Sequence, residues 1–550
     1  MALDAVVVIP AHDEEERIGD CLRALAHQTV GSPAFETVVV LDDCHDRTAA
    51  VVDTVSRAVG LHVKTLEGAG AGAGAARRAG MDHACEILLA AGRPDGLIAC
   101  TDADSRPAAD WLERQLAHVA AGARAIAGLI ELDEDEARDL PPGVRERRDR
   151  DAGTRLRRLR TTEPEAGHHH FAGASLGVTA DTYREVGGIE PLAALEDAGF
   201  AVRLAEHHVP ILRASDVRVA TSPRADGRVA RGLSVDLAVS GWFERRRYHA
   251  GEFGPERLRA VARRPSVAVI IPAKQCAATI RGVVEQTVAP LVDGGLVDEV
   301  VVVDAGSADG TAAQAALAGA RVVQQDEICP ELGPALGKGD AMWRALQVTS
   351  SEIVCFLDGD TADPAPDHLQ GLLGPLLCDP AVHLVKGSFD RPMRAGAVSL
   401  PNEGGRVTEL MARPLINLHE PLLAGFSQPL AGEFAGRRDL LEAIPFPVGY
   451  GVEIAVLIDA LRLVGLEALA ECHLGSRQNR HQPLRALGEM AYAVLAAVET
   501  RRDGGVPQMM AGHYVKPWDD GAAASVPVLE RPPIRDASAR REQRAPAPAS

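Results

Sequence analysis

Aromatic residues are scarce in this 550-residue chain, at 3% of the total, and its nine cysteines stand apart with no Cys-x-x-Cys pair. Thiols so spaced read as small apolar side chains of an intracellular enzyme, so a disulfide framework is not expected. The start, Met-Ala-Leu-Asp, lacks both the basic residues and the roughly 7–15-residue apolar stretch of a secretory signal, and export is not expected. No run reaches the roughly 18–20 apolar residues of a membrane span, since Ala455 to Ala470 is interrupted by Asp459, Arg462 and Glu467. An excess of positive charge is missing as well. With 58 basic against 77 acidic residues the formal net charge is −19, which repels phosphate polymers over the surface as a whole, so an anionic ligand must be met by local cations or a metal. These absences predict a cytoplasmic chain with no nucleic-acid partner and no membrane span, long enough for two or three domains.

What the chain does have is a repeat. Ala5-Val-Val-Val-Ile-Pro-Ala11 recurs as Val267-Ala-Val-Ile-Ile-Pro-Ala273, with Pro10 and Pro272 separated by 262 positions. Thr37-Val-Val-Val-Leu-Asp42 recurs as Val300-Val-Val-Val-Asp304, again 262 apart. A third pair, Gly96-Leu-Ile-Ala-Cys-Thr-Asp102-Ala-Asp104 and Ile353-Val-Cys-Phe-Leu-Asp358-Gly-Asp360, keeps the order at a separation of 256. Short β-branched runs ending in Pro or Asp alternate with Ala/Leu-rich helical segments such as Arg17 to His27 and Gly310 to Ala318, which is the pattern of parallel βαβ units. Polar residues at the strand ends then line the crevice where open α/β sheets bind ligands. The predicted domains are 1–250 and 266–503, joined by an Arg/Gly-rich linker at 251–265 and followed by a poorly ordered tail at 504–550. The segment 131–160, acidic and then basic, reads as a solvated helical flap.

Two aspartates one residue apart at a strand end, as in Asp358-Gly-Asp360 and Asp102-Ala-Asp104, can turn oxygens toward one Mg²⁺ or Mn²⁺, whose remaining ligands come from water and substrate phosphates. An isolated pair of this kind is ordinarily a solvated loop. Here it is the third of three strand ends repeated in order. Gly404-Gly-Arg-Val-Thr408 supplies unhindered N–H groups, a guanidinium and a hydroxyl, which suits an anion. Glu453 lies in an apolar run, so it must be hydrogen-bonded or functional. In the first half, the Gly68 to Gly80 loop carries Arg77 and Arg78, where nucleotide phosphates could be met, and His168-His-His170 reads as an exposed loop.

The ordered strand ends resemble those of GT-A glycosyltransferases of the family 2 type, over both halves. The resemblance implies two tandem GT-A (Rossmann-like) domains with mostly parallel sheets flanked by helices. In the second half, Gly404 to Leu410, Ala424-Gly-Phe-Ser-Gln-Pro-Leu-Ala-Gly-Glu-Phe434 and Gly449-Tyr-Gly-Val-Glu453 are similar to the glucosyl-3-phosphoglycerate synthases. That likeness implies a hexosyltransferase moving glucose from UDP-glucose to the 2-hydroxyl of 3-phosphoglycerate with retention, and it leaves room for a homodimer. It further implies that Pro272, Ala273, Asp304 and Lys338 hold the donor, and that Gly405, Arg406, Thr408, Asn479 and Arg480 hold the acceptor. Asp358 and Asp360 would bind the metal, completed by His481 or the residue at Asn479, and Glu453 would orient the attacking hydroxyl. Lys274, Gln275 and Cys276 depart from the family pattern, which has an acidic contact to the nucleoside there. In the first half Pro10, Glu14 and Asp42 would hold a donor, Asp102 and Asp104 a metal, and Asp197 of Glu196-Asp197 would be the general base of an inverting transferase of unknown acceptor. Two alternatives stay open at this stage: a mannosyl-3-phosphoglycerate synthase using GDP-mannose, and a first half that binds nucleotide sugar or mediates association without catalysis.

Overall fold

The computed structural model describes residues 3–30, 34–192, 195–224, 232–261, 264–391, 393–395, 398–400, 405–476, 483–502 and 511–536. The chain divides into two compact units, Met1–Gly241 and Trp242–Ser550. In the first, β1 (Ala5–Ala11), β2 (Phe35–Leu41), β3 (Val63–Glu67), β4 (Leu97–Cys100), β5 (Ser105–Pro107), β6 (Ala125–Leu132), β7 (Leu176–Thr179) and β8 (Ile211–Thr221) form one sheet in the order β3-β2-β1-β4-β7-β6-β8-β5. Strands β3, β2, β1 and β4 are parallel, as the strand–helix alternation predicts. β7 enters antiparallel to both β4 and β6. Because side chains alternate across a strand, Val6 and Val8 pack into a core with Met81, Ala84 and Leu88 on one face, while Val7 and Ile9 join Ile18, Leu22 and Trp111 on the other. A strand covered on both faces has no polar side, which is why Ala5 to Ala11 reads as one continuous apolar run.

The second unit repeats the plan. Its strands are β9 (Arg247–His249), β10 (Val267–Ala273), β11 (Glu299–Asp304), β12 (Arg321–Gln324), β13 (Ile353–Phe356), β14 (Leu384–Asp390), β15 (Met393–Ala395), β16 (Val398–Leu400), β17 (Phe434–Arg437), β18 (Phe446–Pro447), β19 (Leu469–Ser476), β20 (Ala511–Lys516), β21 (Ala522–Pro527) and β22 (Glu530–Arg531). The large sheet runs β12-β11-β10-β13-β17-β14-β19-β9, so every position but the outermost matches the first unit in order and direction. The antiparallel strand, β7 or β17, turns the end of β6 or β14 toward the carboxyl end of β4 or β13. Each unit therefore gathers its strand ends and connecting loops along one edge.

Two boundaries differ from the sequence reading. Residues 242–261, assigned partly to the first domain and partly to a linker, belong to the second unit: β9 pairs with β19, and Phe253 and Leu258 are buried in the second core. Of the segment expected to be poorly ordered, β20 and β21 form a hairpin and β22 pairs with β18. Their sequence is too Ala-rich and too short to announce itself by periodicity, and only their partners give them shape. Residues 537–550 lie outside the described part of the chain.

Candidate active site

Corresponding turns follow Pro10 and Pro272. Asp13 and Gln275 both adopt left-handed backbone, with φ of 49° and 54°. The Glu14 N–H donates to Thr48 Oγ1 at 2.6 Å, and the Cys276 N–H to Thr311 Oγ1 at 2.8 Å. Each threonine hydroxyl in turn donates to an aspartate, Asp46 or Asp309. Cys276 thus stands where the first unit has Glu14, and the second unit has no carboxylate at that place.

At the second strand end, Asp42 is buried and accepts the Gly70 and Gly72 N–H groups at 2.8 and 2.9 Å, which orders the glycine loop before the Ala73–Ala90 helix. Asp304 is 1% exposed. Its Oδ2 accepts from the Ser307 N–H and from Gln324 Nε2, both at 3.1 Å. Its Oδ1 is buried with no hydrogen-bond partner among the described residues. Leaving such an acceptor unmatched costs about 1–3 kcal/mol, and a nucleoside hydroxyl or N–H would supply the missing donor.

At the third strand end of the second unit, the Lys338 ammonium donates to Asp358 Oδ1 at 2.8 Å and lies 3.1 Å from Glu453 Oε1. Lys338 opens the Lys338–Ala345 helix, and Glu453 sits buried in the first turn of the Val452–Val464 helix, where the helix dipole favours an acid. Burial alone would depress the ammonium, but Asp358 and Glu453 carry its pKa above the ordinary lysine value. Gly432, just before β17, makes room for this cluster: a Cβ there would strike Lys338 Nζ and lie 2.6 and 2.9 Å from the Asp358 oxygens. Asp360 is exposed two residues beyond. Carboxylates at a strand end beside a cradle that only glycine leaves open fit a hard divalent ion, and Asp358 and Asp360 are the residues that would hold it. Behind them Lys386 is wholly buried, donates to the Ala431 carbonyl at 2.5 Å and lies 5.0 Å from the Phe434 ring centroid.

The first unit builds the same bridge with an arginine. Arg77 donates from Nη2 to Asp102 at 2.8 Å, from Nε to Glu196 at 3.1 Å and from Nη1 to the Gly173 carbonyl at 3.2 Å. A side chain at Gly173 would collide with that guanidinium. Arg77 is therefore no phosphate ligand of an open loop, contrary to the sequence reading, and Arg78 donates to the Ile189 carbonyl. Glu196, not Asp197, takes the place of Glu453. Asp197 is partly buried, and burial followed by the Glu196 charge raises its pKa, opposed by the Ala198 N–H it accepts at 2.7 Å. Arg224, which follows β8, forms a bidentate pair with Glu14 and lies 3.0 Å from Asp104. Burial and then Asp102 push Asp104 up to about 6, against the pull of Arg224. Guanidinium groups thus engage Asp102, Asp104 and Glu14, so among the described residues the first unit's two expected metal ligands are both paired with arginines. Among the described residues no cluster of three or more His, Cys, Asp or Glu side chains converges on one position.

Gly405 takes a positive φ of 76°, which glycine adopts without strain, and Thr408 is buried on the turn that follows Arg406. Gly404, Asn479, Arg480 and His481 lie outside the described residues. His168 is buried and His169 and His170 are half-covered, so the histidine tract is not the exposed loop its sequence predicts. Sequence reasoning missed the roles of Arg77, Arg224 and Lys386. Lys386 is a lone cation in the apolar run Leu384-Val-Lys, a costly placement unless a partner waits, and that cost was the available signal; Arg77, beside Arg78 in a Gly/Ala-rich stretch, and Arg224, in a polar loop, carry no such signal.

No helix of the described residues is long and apolar enough to cross a membrane. Residues 6–180 and 268–403 match the family model described as Glycosyl transferase family 2. A glucosyl-3-phosphoglycerate synthase of Mycolicibacterium smegmatis is 43% identical over 282 residues, 50% of this chain and 91% of that protein. Among solved structures, a mannosyl-3-phosphoglycerate synthase from Rubrobacter xylanophilus is 43% identical with a TM-score of 0.48, covering 54% of this chain and 98% of that one. A glucosyl-3-phosphoglycerate synthase from Mycobacterium tuberculosis, in complex with Mn²⁺, UDP-glucose and phosphoglyceric acid, is 40% identical with a TM-score of 0.47, covering 52% of this chain and 95% of that one.

Proposed function

The chain belongs to glycosyl transferase family 2, and from that premise we propose that its second unit moves glucose from UDP-glucose to the 2-hydroxyl of 3-phosphoglycerate with retention. The observation that carries this reading is the Lys338 bridge between Asp358 and Glu453 under Gly432. It joins a cation for a departing diphosphate to a buried carboxylate for an entering hydroxyl. The relatives named above support the substrate pair. In this reading Pro272, Ala273 and Asp304 hold the nucleoside, Lys338 meets the diphosphate, and Gly405, Arg406 and Thr408, with Asn479 and Arg480, hold the acceptor's phosphate and carboxylate. Mg²⁺ or Mn²⁺ held by Asp358 and Asp360, with His481 or Asn479, would offset the negative charge that develops on the leaving diphosphate.

In this reading Glu453 orients the acceptor hydroxyl rather than attacking the sugar, with one of its oxygens 3.1 Å from the Lys338 ammonium. The hydroxyl oxygen bonds to the anomeric carbon on the face from which UDP departs, the bond to the diphosphate oxygen breaks, and the hydroxyl proton passes to that oxygen. The first unit is read as an inverting transferase with Asp197 as base and Pro10, Glu14 and Asp42 near the donor. A non-catalytic nucleotide-sugar-binding role is its alternative, favoured by the guanidinium groups on its carboxylates. The substrates of the second unit are soluble metabolites, and we place the reaction in the cytoplasm.

The whole chain should release UDP from UDP-glucose only with 3-phosphoglycerate and Mg²⁺ or Mn²⁺ present, and Asp360→Ala should slow this at least tenfold, about 1.4 kcal/mol of barrier. A smaller loss would remove the metal role. Arg406→Ala should weaken 3-phosphoglycerate at least tenfold and leave UDP-glucose binding nearly unchanged, as a charge-assisted bond contributes about 1.5–3 kcal/mol. Equal weakening of both ligands would make the loop a structural support. The alternative reading is a mannosyl-3-phosphoglycerate synthase, and turnover with GDP-mannose but not with UDP-glucose would replace the glucosyl assignment.

A further inference from the structure

The Pro142–Leu159 helix and the segment after it fill the connection between β6 and β7, the same connection that carries Gly405, Arg406 and Thr408 between β14 and β17 of the second unit. Since β7 runs antiparallel to β4 and β6, the end of β6 and the start of β7 lie at the carboxyl end of β4, beside Asp102. Cations collect there. The Ile130 N–H at the end of β6 donates to His170 Nδ1 at 3.2 Å, and the His169 and His170 ring centroids are 4.2 Å apart. Arg213 donates to the His169 and His170 carbonyls at 3.3 and 2.7 Å and is answered by Glu163 at 2.8 Å. Arg155 lies 3.5 Å from Asp236. Arg148, partly buried on the same helix, has neither a hydrogen bond nor an ion pair with any described residue, and its nearest carboxylate influences are Asp149 and Asp236.

We propose that Arg148, Arg155 and the imidazoles of His169 and His170 form an anion subsite that holds a phosphate carried by the first unit's acceptor. The proposal rests on reading the first unit as a transferase and the matching connection of the second unit as its acceptor loop. Its position is apt: His170 is three residues from Gly173, a chain length of at most about 10 Å, and Gly173 donates no side chain because Arg77, bound to Asp102, abuts it. An acceptor whose phosphate is anchored here would extend past Gly173 toward Arg77 and the Glu196-Asp197 pair. The electrostatics agree with an anion in that place. Burial, with Arg155 adding to it, holds the Arg148 guanidinium below its usual pKa, and burial followed by neighbouring histidines and arginines lowers His169 to about 4 and His170 to about 3. A phosphate dianion would accept from Arg148 in a charge-assisted pair and favour protonation of the imidazoles, reversing each of those penalties.

The test uses the whole chain with inorganic phosphate as probe, measured by calorimetry on the native protein and on Arg148→Gln, Arg155→Gln, Arg406→Gln and the Arg148→Gln/Arg406→Gln pair. Two classes of phosphate site are expected in the native protein. Arg148→Gln should weaken one of them about tenfold or more, Arg155→Gln the same class by less, and the double variant should lose both. Arg155 is exposed and Arg148 is half-buried, and an unchanged melting temperature establishes that the variants fold. Phosphate binding unaltered by both Arg148→Gln and Arg155→Gln overturns the proposal. Glycerate, which has the carboxylate without the phosphate, should not occupy the Arg148-dependent class, and equal binding of it overturns the phosphate assignment. A failure of Arg406→Gln to remove any class falls on the second unit's acceptor loop alone, because the Arg148 comparison is independent of it.

Discussion

A lysine between two carboxylates and a lysine among apolar side chains titrate in opposite directions, and the second unit has one of each. Lys338 is held charged by Asp358 and Glu453, whereas burial lowers Lys386 to about 8, with Glu453 opposing the shift and Lys338 adding to it. The unfolded chain keeps the Lys386 proton up to its ordinary value of 10.5, so between pH 8 and 10 the unfolded state binds more protons and stability should rise with pH. The full effect is on the order of 3 kcal/mol as an upper limit. Melting temperatures of the native protein and Lys386→Met, followed from pH 7 to 10, should therefore diverge, the native curve climbing relative to the variant. Parallel curves would mean that Lys386 does not lose its proton in this window. Lys338 and Glu453 were legible as single residues through their motifs, but their meeting was not, because they are far apart in sequence and only the approach of two helix starts brings them together.

At the scale of elements, the loop before the central antiparallel strand decides how much space the site has. Gly432→Ala would press a methyl group onto Lys338 and the Asp358 oxygens, and the site must open or the loop must move. Loss of most UDP release with a melting temperature within a few degrees of native is the expected result, and full activity would show that the cradle is not needed. The closing strand β22 makes a second case. Arg531 donates to both oxygens of the fully buried Asp340 at 2.8 and 2.9 Å, and the Trp343 indole donates to the Pro532 carbonyl at 2.8 Å. Arg344 remains on Asp340 at 3.3 Å, so Arg531→Ala should cost less than the roughly 3–5 kcal/mol of a buried charge left wholly unpaired. A destabilisation of about 1–3 kcal/mol in urea unfolding is expected, and none at all would mark β22 as a loosely held end. The strand was invisible in the sequence because two residues have no periodicity. Arg531 was read as part of a charged tail for want of its buried partner.

At the scale of the molecule, the division at Gly241/Trp242 assigns β9, Phe253 and Leu258 to the second unit. A fragment of residues 242–550 should fold and keep the transfer reaction of the second unit, while one beginning at 266, as the linker reading would have it cut, should uncover the surface around Leu369, Leu373 and Cys472 and aggregate. Equal solubility and activity of the two would restore the linker reading. The repeat, the parallel strands and the three polar strand ends were determined by the sequence itself, because a strand covered on both faces must be apolar throughout and a ligand-binding edge must interrupt it with Pro or Asp. Which charges answer one another was decided only by the tertiary structure. Arg77 could have faced a phosphate, Asp104 a metal and Glu14 a nucleoside; packing instead set Arg77 on Asp102 and Arg224 on both Asp104 and Glu14. An ion pair forms between side chains that the fold places within a few ångströms, and nothing in the spacing of Arg224, Asp104 and Glu14 along the chain reports that distance.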